Sequence, residues 1–332
     1  MNALRQQYEA EVVNFDQEKE IDRISNIMRE VMRTKLRRRG VVVAVSGGID
    51  SSVSAALSVK AFGAGKVFLL QLPEVDSSND TQDRSTTLIE HLQAAHVKHN
   101  IADTLEAIGC YDARDEAIRN TFPDYADNWK NKIVIKGGID GQINHFMLVV
   151  QDPNGNLHEK RLNIKEYLQI VAATNYKQRI RKTIEYYHAD RLNYAVIGTP
   201  NRLEYDQGFF VKNGDGSADI KPIAHLYKTQ VYALARTLGL PETVCDAIPT
   251  TDTYSLPQGQ DEFYFALEYK KMDQALWAYN KGASAEALAG MIDIDVKQAE
   301  YIFKDIETKR TTTQYMHFSP FLMDSMPEIR HN

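Results

Sequence analysis

Apolar residues along the chain occur either in short continuous runs or at helical spacing, a pattern that predicts strands alternating with helices. The continuous runs are rich in β-branched and aliphatic residues and predict buried strands at 41–45, 66–73, 97–101 and 194–198. Helical spacing predicts helices at about 16–39, 51–60, 84–95, 165–188, 226–238, 261–278 and 295–309. This order predicts an α/β fold with a doubly wound, mostly parallel sheet and helices on both faces.

The regular order breaks between residues 102 and 163. Short apolar runs predict strands at 133–135, 144–150 and 158–164, and segments rich in Gly, Asn and Asp predict turns at 137–141 and 152–156. We therefore expect a small antiparallel β insertion, residues 102–163, within a single domain of residues 1–332.

Composition narrows the class of protein. A chain of 332 residues that is 43% hydrophobic suits one large α/β domain, and a net charge of -6 argues against nucleic-acid binding. No apolar run reaches membrane-spanning length, and the N-terminus lacks the apolar core of a signal peptide. The two cysteines, Cys110 and Cys245, match no metal-binding spacing and suit a reducing compartment. We expect a cytoplasmic protein that binds neither nucleic acid nor membrane.

The most specific chemical signal follows the first strand, in the sequence Ser46-Gly47-Gly48-Ile49-Asp50-Ser51-Ser52. A strand, a glycine turn and a helix N-terminus together form an anion site, because unpaired N–H groups and the positive end of the helix dipole meet there. Asp50 would repel a phosphate unless a cation lies between them, so the loop predicts phosphate plus Mg²⁺. The alternative is an ordinary strand-to-helix turn. A Walker loop is excluded, since no Gly-Lys-Ser/Thr follows.

This loop resembles the pyrophosphate-binding loop of the ATP-pyrophosphatase superfamily. Six later segments resemble, more narrowly, the synthetase domain of NAD⁺ synthases. These segments are Asn175-x-Lys177-x-Arg179, Gly198-Thr199 with Glu204, Phe209-Phe210 with Lys212, Gly214-Asp215-Gly216 with Asp219, Leu226-Tyr227-Lys228, and Pro249-Thr250-x-Asp252. The resemblance implies that ATP adenylates the nicotinate carboxylate of deamido-NAD⁺ with release of pyrophosphate. Ammonia then displaces AMP and forms the amide of NAD⁺.

The resemblance also implies roles for individual residues. ATP would be bound by Ser46, Gly47, Gly48, Asp50, Ser51, Ser52, Thr199, Lys228 and Thr250. Mg²⁺ would be shared by Asp50 and Glu204, and deamido-NAD⁺ would be contacted by Arg179, Lys212, Asp219 and Lys309. Asp50, Lys228 and Asp215 would be catalytic, with Asp215 helping to receive a proton from ammonia.

Each of these residues also has a plain structural interpretation. Lys228 could lie on a helix surface, Asp219 could cap a turn, and Glu204 could be a solvated loop residue. Two departures from the family pattern bear on the acceptor: Thr308 stands where the family has a histidine before Lys309, and Gln71 stands where relatives often carry arginine. They leave open an ATP-dependent adenylating amide ligase that acts on another carboxylate.

A non-catalytic nucleotide-binding module is a further alternative, and intact Asp50, Glu204 and Lys228 count against it. The resemblance implies a homodimer. Because neither cysteine has the setting of a glutaminase nucleophile, we expect the enzyme to use free ammonia or to receive it from a separate glutaminase.

Overall fold

The computed structural model describes residues 3–136, 145–247, 249, 253–259, 264, 267–324, 326 and 328–329. The strands are β1 (Val41–Ala44), β2 (Val67–Gln71), β3 (Ala95–Lys98), β4 (Lys130–Lys136), β5 (His145–Gln151), β6 (Leu157–Arg161) and β7 (Ala195–Ile197). The helices of the first half are α1 (Ala3–Tyr8), α2 (Gln17–Val31), α3 (Ile49–Phe62), α4 (Asn79–Leu92), α5 (Ala102–Ala107) and α6 (Cys110–Arg119). Those of the second half are α7 (Ile164–Leu192), α8 (Arg202–Gln207), α9 (Lys228–Thr237), α10 (Glu242–Cys245), α11 (Tyr269–Asn280), α12 (Ala285–Ile292) and α13 (Val296–His317).

The central sheet has the order β3-β2-β1-β7, and all its strand pairs are parallel. The chain leaves β1 toward β2 on one side, and β7 later pairs on the other side. The topological switch point therefore lies between the carboxyl ends of β1 and β7, where open α/β sheets bind ligands. The predicted parallel sheet is confirmed. β3 begins two residues before the predicted 97–101, because it is a largely exposed edge strand whose start no apolar run marks.

Helices cover both faces of this sheet, as predicted. Val41 and Val43 pack in a cluster with residues of α2, α3 and α9, whereas Val42 packs with Val196 and residues of α5 and α7. Alternate side chains of a strand point to opposite faces, so the continuous apolar run of β1 serves two cores. Each fully buried valine stabilises the fold by about 1.5–3 kcal/mol.

The β insertion contains the three-stranded antiparallel sheet β4-β5-β6, as predicted. The predicted turn at 152–156 is present, since Gly155 N–H donates to Asp152 O at 3.0 Å. Residues 102–119 form α5 and α6, and the predicted turn at 137–141 lies outside the described residues. The segment 253–259 lies along β4: Leu256 N–H donates to Asn131 O at 3.1 Å, and Asn131 N–H donates to Ser255 Oγ at 2.8 Å. The insertion therefore holds a segment that is distant in sequence.

The C-terminal part is helical, as expected, with different bounds. α11 begins at Tyr269 rather than 261, and residues 260–263 and 265–266 lie outside the described residues. α13 continues eight residues beyond the predicted end at 309, because its last turns pack against the segment that follows α8. In the part of the chain that the structure describes, no helix is long and apolar enough to cross a membrane.

Candidate active site

The loop after β1 is fixed by a close approach of backbones. Gly47 has φ +78°, in the left-handed region, and a Cβ atom built on it would lie 2.2 Å from the carbonyl oxygen of Thr81 in α4. Only glycine fits this position. Gly48 is the N-cap of α3, so the loop runs directly into the positive end of a 14-residue helix. The prediction of a strand, a glycine turn and a helix N-terminus is confirmed.

Serine hydroxyls hold the shape of this loop. Ser51 Oγ donates to Gly48 O at 3.0 Å, and Ser52 Oγ donates to the same oxygen at 2.8 Å. Ser46 N–H donates to Ser51 Oγ at 3.2 Å. Ser51 and Ser52 are buried, whereas Ser46 is exposed. The first two therefore shape the turn, and the hydroxyl of Ser46 is the one that solvent or a ligand can reach.

The second part of the site is α8, which follows β7 on the other side of the switch point. Asn201 is its N-cap: Glu204 N–H donates to Asn201 Oδ1 at 3.2 Å, and Asn201 N–H donates to Glu204 Oε2 at 3.1 Å. This reciprocal pair is a capping box, which starts α8 and fixes the Glu204 side chain. Glu204 is therefore a helix residue and not a solvated loop residue.

Asn201 also joins the two halves of the site. Its Nδ2 donates to Asp50 Oδ1 at 3.1 Å, and the residue is 1% exposed. Asn201 was not among the predicted site residues. The spacing Asn-x-x-Glu at 201–204 is the signal that could have found it, because this spacing is typical of a capping box at a helix start.

Lys228, the first residue of α9, brings a buried cation to Asp50. Its side chain is 2% exposed, and its Nζ forms an ion pair with Asp50 Oδ2. Burial alone would lower the pKa of Lys228, but the carboxylates of Asp50 and Glu204 raise it well above its usual value. The lysine is therefore charged at neutral pH, and the interpretation as a surface lysine is wrong.

Asp273, on α11, holds the start of α9. It accepts hydrogen bonds from Lys228 N at 3.2 Å and from Thr229 N at 2.7 Å. A carboxylate is favourable at a helix N-terminus, yet full burial raises the pKa of Asp273 to about 7. Asp273 thus fixes the backbone from which the Lys228 side chain extends, and no sequence pattern had indicated it.

The structure brings together most of the predicted phosphate-binding residues. Ser46, Gly47, Gly48, Asp50, Ser51 and Ser52 come from the first loop, and Glu204 and Lys228 join them through the contacts above. Thr199 is half-buried in the segment that links β7 to α8. Thr250 lies outside the described residues.

The predicted acceptor residues lie on α7, on the 208–220 loop and on α13. Arg179 Nε donates to Lys212 O at 3.3 Å, and Lys212 Nζ donates to Tyr315 O at 2.8 Å. Lys309 Nζ donates to Asp305 Oδ2 at 2.6 Å, and burial lowers its pKa. The hydrogen bond from Arg179 to the Lys212 carbonyl oxygen therefore places these two predicted acceptor residues next to each other.

Two carboxylates of the same loop have structural partners. Asp219 Oδ2 accepts a hydrogen bond from Val196 N at 2.7 Å, so Asp219 binds the edge of β7 that faces away from β1. Asp215 Oδ1 accepts one from Val211 N at 2.6 Å, and burial raises the pKa of this carboxyl. Both residues shape the loop, and their roles toward a ligand stay predictions.

The two departures from the family pattern also have local partners. Gln71 Nε2 donates to Ser85 Oγ at 2.7 Å and to Thr86 Oγ1 at 3.1 Å, so it binds β2 to α4. Thr308 Oγ1 donates to Lys304 O at 2.7 Å within α13.

A family model described as NAD synthase matches residues 20–136 and 139–314 of this chain. The chain belongs to the NAD synthase family. The resemblance drawn from the loop and the later segments is thereby confirmed.

Relatives within the NAD synthase family extend the match to nearly the whole chain. The NH3-dependent NAD⁺ synthetase of Rhizobium meliloti (strain 1021) is 51% identical over 323 residues, which are 97% of this chain and 96% of that protein. The protein of the same name from Thermotoga maritima is 36% identical over 270 residues, which are 81% of this chain and 88% of that protein.

Solved structures share the fold. NMN synthetase from Francisella tularensis matches with a TM-score of 0.62 at 21% identity, over 94% of this chain and 100% of that chain. An NH3-dependent NAD synthetase from Campylobacter jejuni matches with a TM-score of 0.61 at 20% identity, over 93% of this chain and 100% of that chain. At these identities the likeness concerns the fold alone.

Proposed function

We propose that this protein is an ammonia-dependent NAD⁺ synthetase, which amidates deamido-NAD⁺ with ATP and releases AMP and pyrophosphate. One observation carries the assignment: the relatives that match nearly the whole chain at about half identity are named NH3-dependent NAD⁺ synthetases. The alternative acceptor, another carboxylate, is less well supported, because Gln71 and Thr308 have ordinary structural partners.

The phosphate end of the site suits adenylation. Attack of the nicotinate carboxylate on the α-phosphate brings two anions together, and pyrophosphate must leave with additional negative charge. The N-terminus of α3 and the charged, buried Lys228 provide fixed positive electrostatic potential at this point. Their catalytic benefit is preorganisation, since Asp273 and Asp50 already hold Lys228 before substrate arrives.

Asp50 and Glu204 fit a role as Mg²⁺ ligands. Mg²⁺ is usually bound by one or two carboxylates together with phosphate oxygens and water. Asn201 contacts both carboxylates, and Lys228 is close enough to both for each to raise its pKa. Within the described residues no group of three or more acidic, His or Cys side chains could hold a metal by itself, which suits an ion that needs the phosphates of ATP as further ligands. When bound, Mg²⁺ would supply positive charge at the phosphates.

Deamido-NAD⁺ would bind toward α7 and the 208–220 loop, through Arg179, Lys212, Asp219 and Lys309. Arg179 and Lys212 support this placement because they are joined, and both bring positive charge for the phosphates of a dinucleotide. Asp215 would help to receive a proton from ammonia, and burial, which raises the pKa of this carboxyl, makes its ionised form a better proton acceptor.

The ammonia is proposed to come from solution or from a separate glutaminase. Cys110 and Cys245 are both buried, and burial raises the pKa of the Cys110 thiol to about 11. Neither thiol is therefore suited to act as the nucleophile of glutamine hydrolysis. Reduced, buried cysteines also suit the proposed cytoplasmic location.

We also propose a homodimer, as the family resemblance implies. α7 exposes Ile164, Leu168 and Tyr176, which are 69%, 56% and 40% exposed. Large apolar side chains grouped on one helix are typical of an interaction surface. Sedimentation should give twice the chain mass, and Leu168→Glu should shift the protein toward monomer; a monomeric wild type would refute the proposal.

An amidation assay tests the function. Purified protein is incubated with deamido-NAD⁺, ATP and Mg²⁺, with either ammonium or glutamine as nitrogen donor. We expect equimolar NAD⁺, AMP and pyrophosphate with ammonium, little product with glutamine, and none after chelation of Mg²⁺. Pyrophosphate without NAD⁺ would favour a different acceptor, and ATP binding without AMP release for every acceptor would favour a non-catalytic module.

A further inference from the structure

Arg84, in the second turn of α4, lies against the phosphate loop. Its Nε donates to the carbonyl oxygen of Gly47 at 3.2 Å, and the side chain is half-buried. Among the residues that the structure describes, neither Nη1 nor Nη2 of Arg84 takes part in a hydrogen bond or an ion pair. The guanidinium is thus held at one nitrogen, and its outer two nitrogens remain available as donors.

Three contacts fix the position of α4, the helix that carries Arg84. The close approach of Gly47 to Thr81 O brings α4 directly against the loop. Ser78 caps α4 by accepting from Thr81 N at 3.2 Å, and Gln71 binds the helix to β2 through Ser85. Arg84 therefore extends from a helix that is fixed against the loop.

The charge at the phosphate end favours a further cation. Asp50 and Glu204 bring two negative charges, whereas Lys228 brings one positive charge and is already paired with Asp50. ATP adds the charge of three phosphates to this excess. Mg²⁺ would offset part of this negative charge, and Arg84, whose two Nη atoms remain available as donors, suits the remainder, because the planar guanidinium binds phosphate oxygens in pairs.

We infer that Arg84 is a substrate-binding residue, whose Nη atoms contact the outer phosphates of ATP, those that leave as pyrophosphate. The inference rests on the proposed use of ATP at this loop. The inference gives a role to the unpaired Nη atoms of Arg84 at this loop. It also provides a positive charge at the end of the sheet where β2 contributes only the uncharged Gln71.

Binding measurements without the acceptor test the inference. Calorimetry compares ATP, pyrophosphate and AMP, each with Mg²⁺, for wild type, Arg84→Met and Arg84→Lys. We expect Arg84→Met to weaken ATP and pyrophosphate binding by about tenfold to a hundredfold, as the loss of charge-assisted hydrogen bonds does. AMP binding should be unchanged. Arg84→Lys should fall between the two, because an ammonium keeps the charge but loses the paired geometry.

Arg119→Met is the matched control, since it removes the same charge from an exposed position at the end of α6. It should bind all three ligands as wild type does. If Arg84→Met binds ATP and pyrophosphate normally, or loses AMP affinity to the same extent, the inference is wrong. A wild type that binds ATP and pyrophosphate but forms no NAD⁺ would contradict the proposed acceptor while leaving the Arg84 comparison valid.

Discussion

In the ion pair between Lys228 and Asp50, removal of Asp50 should lower the free energy of unfolding more than removal of Lys228. The Lys228 side chain is 2% exposed and that of Asp50 is 15% exposed. Asp50→Asn leaves a buried ammonium with only the more distant charge of Glu204, so we expect a cost near the lower end of the 3–5 kcal/mol range, about 3 kcal/mol. Lys228→Met leaves a carboxylate that water reaches and that still accepts from Asn201, so the cost should be smaller, about 1–3 kcal/mol.

Thermal unfolding of the two single variants and of the double variant measures this asymmetry. For Asp50→Asn the melting temperature should fall by roughly 4 °C, and the double variant should be less destabilised than the sum of the single variants by about 1 kcal/mol or more. Once Lys228 is absent, Asp50→Asn leaves no uncompensated cation.

The control is an exposed ion pair of Arg236, which lies on the same helix as Lys228. Arg236 and Asp246 form an ion pair at 3.1 Å, with side chains that are 60% and 71% exposed. Its disruption by Arg236→Met should cost less than about 1 kcal/mol. The reasoning fails if Asp50→Asn costs no more than this control, or if the Asp50 and Lys228 variants are additive.

Two further predictions concern residues that hold the site in place. Burial raises the pKa of Asp273 from 3.8 to about 7, so its contribution to stability is fully present below pH 3.8 and is lost as the pH rises through about 7. Urea unfolding across this range should show a smaller loss in Asp273→Asn than in wild type; equal slopes would contradict the shift. Arg310 binds both oxygens of Asp206, at 2.7 and 2.6 Å, on the helix that carries Glu204. Arg310→Lys should therefore raise the Mg²⁺ concentration for half-maximal pyrophosphate release severalfold and preserve kcat at saturating Mg²⁺, and an unchanged Mg²⁺ dependence would rule this out.

The parts of the site that depend on neighbouring residues could be predicted from sequence. Residues 41–52 specify a strand, a turn and a helix by local pattern alone, and the structure forms all three. The parallel order of strands then places the end of β7 beside the end of β1. Glu204, 154 positions from Asp50, was assigned to the phosphate end by the family resemblance, and this topology is the physical reason that it lies there.

The parts that depend on long-range packing could not be predicted from local pattern. The family resemblance placed Lys228 at the phosphate end, but not its burial, its direct contact with Asp50 across 178 residues, or its support by Asp273, which lies 45 residues further along the chain. A lysine at the start of an amphipathic helix carries no local sign that it is buried. Asn201 was missed in the same way, since its bond to Asp50 spans 151 residues.

The insertion shows the same limit. Its strands have their own apolar pattern, but the segment that lies along β4 does not. Tyr254 packs among the apolar side chains of the insertion, and Leu256 packs against Val134 and Val149. These contacts join positions that are more than a hundred residues apart, and no periodicity within 253–259 indicates them.

Transfer of oxygen from the acceptor to AMP tests the central claim, adenylation of the nicotinate carboxylate, most directly. Deamido-NAD⁺ labelled with ¹⁸O in both carboxylate oxygens is converted with ATP, Mg²⁺ and ammonia, and the ¹⁸O content of each product is measured by mass spectrometry. The carboxylate attacks the α-phosphate and ammonia later displaces AMP, so one labelled oxygen should appear in AMP and one should remain in the amide of NAD⁺. Unlabelled AMP with amide formation, or label in pyrophosphate, would contradict adenylation at this site.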